Sequence, residues 1–195
     1  FGKEPLTGIV CCMPPHLTEG GEDKVESVDR MAIDLGLSTE EAQELVSPGD
    51  RVLVRAPQKR LLGTRITSPA LDDRAGCAAL IRCAQLLRNQ TLSCGLTILL
   101  SSREEAGGQG AQAGAYSLEP TEAIAVDVSF AAQPGVDPAK CGKLGGGPMI
   151  GMAPILNRPM TNRLLELAKE HEIPYSMEIM GGETGTNADE IAVSR

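Results

Sequence analysis

The sequence predicts an α/β protein: a mixed β-sheet flanked by helices, joined to a smaller β-rich module. Three observations point there. Residues 95–101 and 123–128 are continuous apolar runs of strand length, the pattern of strands buried on both faces. Segments with helical spacing alternate with them, as in layered α/β domains. The first third of the chain instead carries short alternating runs cut by turn residues.

Taken in order, residues 1–12 read as strand-rich, and residues 20–29 as a polar, Gly-rich loop. Ser38-Thr39-Glu40-Glu41 has the S-x-x-E form of a capping box and opens a short helix through Val46. Ser47-Pro48-Gly49-Asp50 is a turn, and residues 51–55 alternate like a strand. Residues 1–66 thus form one expected module and residues 67–195 an α/β domain. Within the latter, Ala78, Leu80, Ile81, Ala84 and Leu87 predict a helix over 75–88. Residues 110–118 can form another. Residues 159–172 place Leu164, Leu165, Leu167 and Ala168 on one side, with Pro159 near the first turn. Residues 175–180 can form a strand. There is no internal repeat. The missing initiating Met and the stop at 191–195 inside a helical pattern lead to the expectation that residues are missing at both ends.

Composition narrows the function classes. With 23 % charged and 42 % hydrophobic residues the chain is of the soluble globular type. A net charge of -8 argues against nucleic acid, which is bound through Lys and Arg clusters. It suits a protein that gathers divalent cations, and solubility alone explains it equally well. Two Phe, two Tyr and no Trp leave few faces for stacking on sugars or single strands. The six Cys form no C-x-x-C pair and read as free thiols, which implies a reducing compartment. No signal peptide or membrane-length apolar run is visible, so a cytoplasmic location without a membrane partner is expected.

Three acidic positions stand at expected strand ends or just after them, where open α/β sheets build ligand sites. They are Asp72-Asp73, Glu104-Glu105 and Asp127. Each has a plain structural alternative: Asp72 could cap the next helix, Glu104-Glu105 could be a solvated turn, and Asp127 could pair with an Arg. Three such positions in consecutive units favour a cation held by oxygen ligands. One Glu of an adjacent pair can bind metal while its neighbour acts as a general base.

These motifs, Leu71-Asp-Asp-Arg-Ala-Gly76, Glu104-Glu-Ala-Gly-Gly-Gln-Gly-Ala111 and Ala125-Val-Asp-Val128, resemble the tetrahedral (TET) aminopeptidases. That family includes glutamyl and leucyl aminopeptidases that also carry the label cellulase M or endoglucanase. Met31–Gly36 with Ser47–Asp50, Lys143–Pro148 and Gly182–Ala188 match further segments in the family's order. The resemblance implies a zinc-peptidase-like fold in which residues 1–66 are part of an inserted dimerisation domain. It also implies two divalent metal ions (zinc or cobalt, or manganese), peptide substrates, and dimers assembling into a dodecameric, tetrahedral particle. Asp72 would bridge the metals, with a cis peptide to Asp73; Glu105 would bind one ion and Asp127 the other; Glu104 would be the general base and acid.

Two departures stand out. The family completes each metal with a histidine, one in a His-x-Asp segment and one near the C-terminus. This chain has only His16 and His171, neither in such a motif, so both histidine ligands are expected outside it. Asn187 stands where the family usually has Asp. The expected function is a metal-dependent aminopeptidase using a two-metal-activated water. The alternatives are an endo-1,4-glucanase, disfavoured because adjacent Glu residues are poorly placed to flank a sugar, and a catalytically inactive assembly protein.

Overall fold

A computed structural model describes residues 4–14 and 27–194. The chain divides into two compact units, Phe1–Pro57 and Gln58–Arg195.

In the first unit, β1 (Ile9–Cys11) pairs antiparallel with β2 (Ala32–Asp34), with Val10 opposite Ile33. Helix α1 (Thr39–Leu45) starts where its capping box predicts. Glu41 N–H donates to Ser38 Oγ (3.3 Å) and Ser38 N–H donates to Glu41 Oε2 (2.9 Å), so two donors at the helix start are met locally. The following turn closes through Asp50 N–H to Ser47 O (3.1 Å), with Gly49 at φ 98°.

The second unit opens with a short hairpin, β3 (Lys59–Arg60) against β4 (Ile66–Thr67). Helix α2 (Leu71–Leu87), α3 (Gln109–Leu118), β5 (Met149–Met152), α4 (Arg158–Glu170), β6 (Ser176–Ile179) and α5 (Asn187–Ala192) follow. β5 and β6 are parallel, with Ile150 opposite Met177, and α4 is the crossover between them. Asn157 caps α4 by accepting from Met160 N–H (3.0 Å), and Pro159 occupies the first turn, where its missing N–H costs nothing. α4 packs on β5, and Thr161 Oγ1 donates to Gly151 O (3.3 Å). α3 packs on α5. Among the described residues the buried hydrophobic positions are Ala111, Ala115, Ile150 and Ala168, which mark these two contacts.

The helices fall where their spacing predicts; several strands do not. Residues 51–55, 95–101 and 123–128 form no strand among the described residues. Leu96, Leu100 and Ile124 are more than half exposed. The physical reason is that an apolar run reports a tendency to be covered, whereas a strand also needs a neighbour to close its ladder. β5 was not expected from the pattern.

Candidate active site

The first acidic position forms at the entry to α2. Ala70 is left-handed (φ 54°), the Asp72–Asp73 peptide is cis, and neither aspartate has helical dihedral angles. The regular helix therefore begins after Asp73. Asp73 Oδ1 accepts from Gly76 N–H at 2.8 Å, which makes Asp73 the capping residue. A Cβ at residue 76 would lie against the Asp73 carboxylate, so the cap in this form packs on the bare glycine backbone. Asp72 is exposed and makes no hydrogen bond or ion pair among the described residues. The capping alternative thus belongs to Asp73 and leaves the Asp72 carboxylate uncommitted.

The glutamate pair stands on a 3₁₀ turn, Glu104–Ala106, bracketed by left-handed Arg103 (φ 61°), Gly107 (φ 105°) and Gly108 (φ 65°). Gly107 N–H donates to Glu104 O (3.1 Å) and Gly108 N–H to Arg103 O (2.9 Å), which closes the turn on itself. Asp127 follows the 123–126 run. Its Oδ1 accepts from Val128 N–H at 2.7 Å, and among the described residues no arginine pairs with it.

The four expected site residues share one electrostatic neighbourhood. Burial first, and then the negative charges of Asp127, Glu105, Asp72 and Glu190, hold the Glu104 carboxyl above its ordinary range. Burial is also the largest effect on Asp127 and raises it. The Val128 N–H pulls it down, and Asp73, Asp72 and Glu105 push it up. Two members of this neighbourhood were missed as site residues. Asp73 was legible, since an aspartate at an expected helix start is a capping signal. Glu190 was not, because only the docking of α5 on α3 brings it to the glutamate turn.

A set of mutually repelling carboxylates with oxygen donors only fits a hard or borderline divalent cation in kind. It is not a closed cage: among the described residues no three His, Cys, Asp or Glu side chains form a group that could hold a metal ion. His171 caps the C-terminus of α4, its N–H donating to Leu167 O (3.0 Å), and is exposed. His16 lies outside the described residues. Asn187 donates from Nδ2 to Ser101 Oγ (2.8 Å), and its Oδ1 is buried with no hydrogen-bond partner among the described residues.

A helix entry, a glutamate turn and Asp127 thus converge their charges in an α/β domain of the peptidase-like kind. The model of the M42 glutamyl aminopeptidase family matches residues 1–195, and the chain belongs to that family. It is 33 % identical over 192 residues to a lysyl aminopeptidase of Pyrococcus furiosus, covering 96 % of this chain and 55 % of that protein. A putative aminopeptidase of Acetivibrio thermocellus is 35 % identical over 169 residues, with 82 % of this chain and 50 % of that protein covered. Among solved structures, a TET aminopeptidase from Thaumarchaeota archaeon SCGC AB-539-E09 superposes with a TM-score of 0.79 at 29 % identity, over 97 % of this chain and 56 % of that one. The TET1 peptidase of Pyrococcus horikoshii, described as able to assemble into a tetrahedron or a large octahedral shell, gives 0.67 at 27 % identity over 94 % and 56 % of the two chains. The chain spans about half the length of the curated relatives it matches.

Proposed function

We propose that this chain is a large part of a metal-dependent aminopeptidase that removes N-terminal residues from peptides. The observation that carries the reading is the convergence of Asp72, Glu104, Glu105 and Asp127 into one field of negative charge with no arginine partner among the described residues. Uncompensated carboxylates are costly to bring together, and a divalent cation is the partner that offsets the cost.

In this reading Asp72, Glu105 and Asp127 hold two divalent ions, zinc or cobalt, with the ligand set completed by histidines outside this chain. Bound ions would supply Lewis acidity toward the scissile carbonyl and the attacking water. Glu104 has a different task. Its raised proton affinity suits a base that takes a proton from water at its carboxylate and returns it to the departing amine. The closed turn of residues 103–108 holds that carboxylate in place. Residues 1–66 are part of an inserted dimerisation domain and residues 67–195 an incomplete catalytic domain; dimers assemble further into a dodecamer in the cytoplasm. Among the described residues no helix is long and apolar enough to cross a membrane.

The test is hydrolysis of Lys-, Leu- and Glu-anilides by the complete protein, before and after a chelator, with zinc or cobalt restored. Hydrolysis that a chelator abolishes and metal restores is expected; hydrolysis indifferent to the chelator overturns the reading. Carboxymethylcellulose in parallel addresses the glucanase alternative, for which the aminopeptidase relatives offer no support. Light scattering addresses assembly.

A further inference from the structure

Helix α5 meets the segment carrying the glutamate pair at both of its ends. Asn187, in the first turn of α5, donates from Nδ2 to Ser101 Oγ at 2.8 Å, a side-chain link across 86 residues of sequence. Glu190 lies three residues further on and therefore shares a helix face with Asn187. It seats against Gly108, where an added Cβ would come within 2.4 Å of its side chain. Between these two ends the segment is closed by its own hydrogen bonds, Gly108 N–H to Arg103 O (2.9 Å), Gly107 N–H to Glu104 O (3.1 Å) and Gly110 N–H to Ser102 O (3.1 Å). A segment closed on itself moves as a unit, so what grips its ends sets where Glu104 and Glu105 stand.

Of the two grips, the Gly108 contact is packing and the Asn187–Ser101 bond is directional. Asn187 is also a poor choice on stability grounds alone. Its buried Oδ1 has no hydrogen-bond partner among the described residues, an arrangement that costs free energy and that an apolar side chain of similar size would avoid. We propose that Asn187 is a positioning residue, which acts through Ser101 to fix the place of the Glu104–Glu105 turn. The part played in turnover rests on the aminopeptidase reading; the grip on the turn does not.

The experiment compares Asn187→Leu, Ser101→Ala, the double variant and Asn187→Asp in the complete, metal-loaded protein. Steady-state kinetics on an aminoacyl-anilide are read together with hydrogen exchange at residues 103–110. Asn187→Leu and Ser101→Ala are each expected to lower kcat about 10- to 100-fold with KM unchanged, the scale for groups that orient a metal site or a reacting group. The double variant falls no further than either single, because both remove one bond. Asn187→Asp, whose carboxylate accepts from the Ser101 hydroxyl, retains most of the wild-type kcat. Amides 106–110 exchange faster in both singles. Ser101→Ala removes one hydroxyl and serves where Asn187→Leu fails to fold. Wild-type kcat and exchange in Ser101→Ala, or single losses that multiply in the double variant, overturn the proposal. A wild-type protein inactive with metal refutes the aminopeptidase reading, and the exchange comparison then decides the grip by itself.

Discussion

The Asp73 carboxylate accepts the Gly76 N–H at 2.8 Å and so caps the regular part of α2, while the adjacent Asp72 carboxylate has no hydrogen-bond or ion-pair partner among the described residues. The two neighbours should therefore separate on substitution. Asp73→Ala is expected to lose about 1 kcal/mol of stability, the usual cost of losing a helix cap. Asp72→Asn is expected to leave stability unchanged or improved in the metal-free chain, since it removes a repelling charge, and to abolish metal-dependent hydrolysis. Urea unfolding and the anilide assay check both; equal stability losses at the two positions would count against the assignment of the cap.

The carboxylate field predicts a pH dependence of stability. Glu104 and Asp127 are both held above the ordinary carboxyl range, first by burial and then by neighbouring negative charge. The folded metal-free chain therefore binds more protons here than the unfolded chain does. The stability these groups contribute is fully present below their unfolded pKa and is lost as pH rises through their raised folded pKa. Asp29, bonded by Ser27, and Glu41, bonded by Ser38, are shifted down and act in the opposite direction, so a difference is the informative quantity. Over acidic to neutral pH, the urea midpoint of the metal-free wild type should fall relative to that of the Glu104→Gln/Asp127→Asn double variant. A constant offset would refute the shared field.

How much of this was legible in the sequence follows from what each feature depends on. The α1 cap, Ser38 with Glu41, and the α4 cap, Asn157 before Pro159, are made by residues within three positions of each other, so spacing alone reveals such starts. The 95–101 and 123–128 runs carry strand composition, but a ladder is a property of two segments, and none is closed there among the described residues. β5 escaped notice because Met149–Met152 contains Gly151 and is short; its identity comes from pairing with β6. Asp72, Glu104, Glu105 and Asp127 were legible because their motifs are contiguous. Glu190 and the Ser101–Asn187 bond were not, since they arise from the way α5 docks, 86 residues away from Ser101.

Two glycines in α3 separate backbone from side-chain crowding. A Cβ on Gly110 would lie 2.3 Å from Ser102 O and 2.5 Å from Ser102 N, both main-chain atoms of the segment leading into the glutamate turn. The atoms nearest a Cβ on Gly114 belong to the Leu99 side chain, whose Cδ2 is 2.7 Å away and can rotate. Alanine gains about 1 kcal/mol over glycine in a helix interior. For Gly110→Ala that gain is outweighed by an overpacking cost of about 1–3 kcal/mol, and the displaced turn lowers kcat as well. For Gly114→Ala the two terms nearly cancel. Thermal unfolding of the two variants should show the gap, and a Gly110→Ala protein as stable and as active as wild type would contradict the contact.

The adjacent glutamates should divide by their response to metal. Glu→Gln preserves volume and one acceptor but removes the charge, so each variant asks what that charge does. At Glu105 the charge is assigned to holding an ion. Glu105→Gln should weaken zinc or cobalt binding by calorimetry, and excess metal should recover part of its activity, because mass action offsets a lower affinity. At Glu104 the charge is assigned to moving a proton, a role worth about 10²- to 10⁴-fold in rate. Glu104→Gln should retain metal and lose turnover on that scale, and no excess of metal should restore it, since occupancy was not what it lost. The neighbourhood of Glu104, where four other carboxylates raise its proton affinity, adds a second contrast. Removing the Glu104 charge takes away part of the repulsion that a bound cation offsets, so Glu104→Gln should hold metal somewhat less tightly than wild type but far more tightly than Glu105→Gln. Rescue of Glu104→Gln by metal, with none for Glu105→Gln, would reverse the two roles.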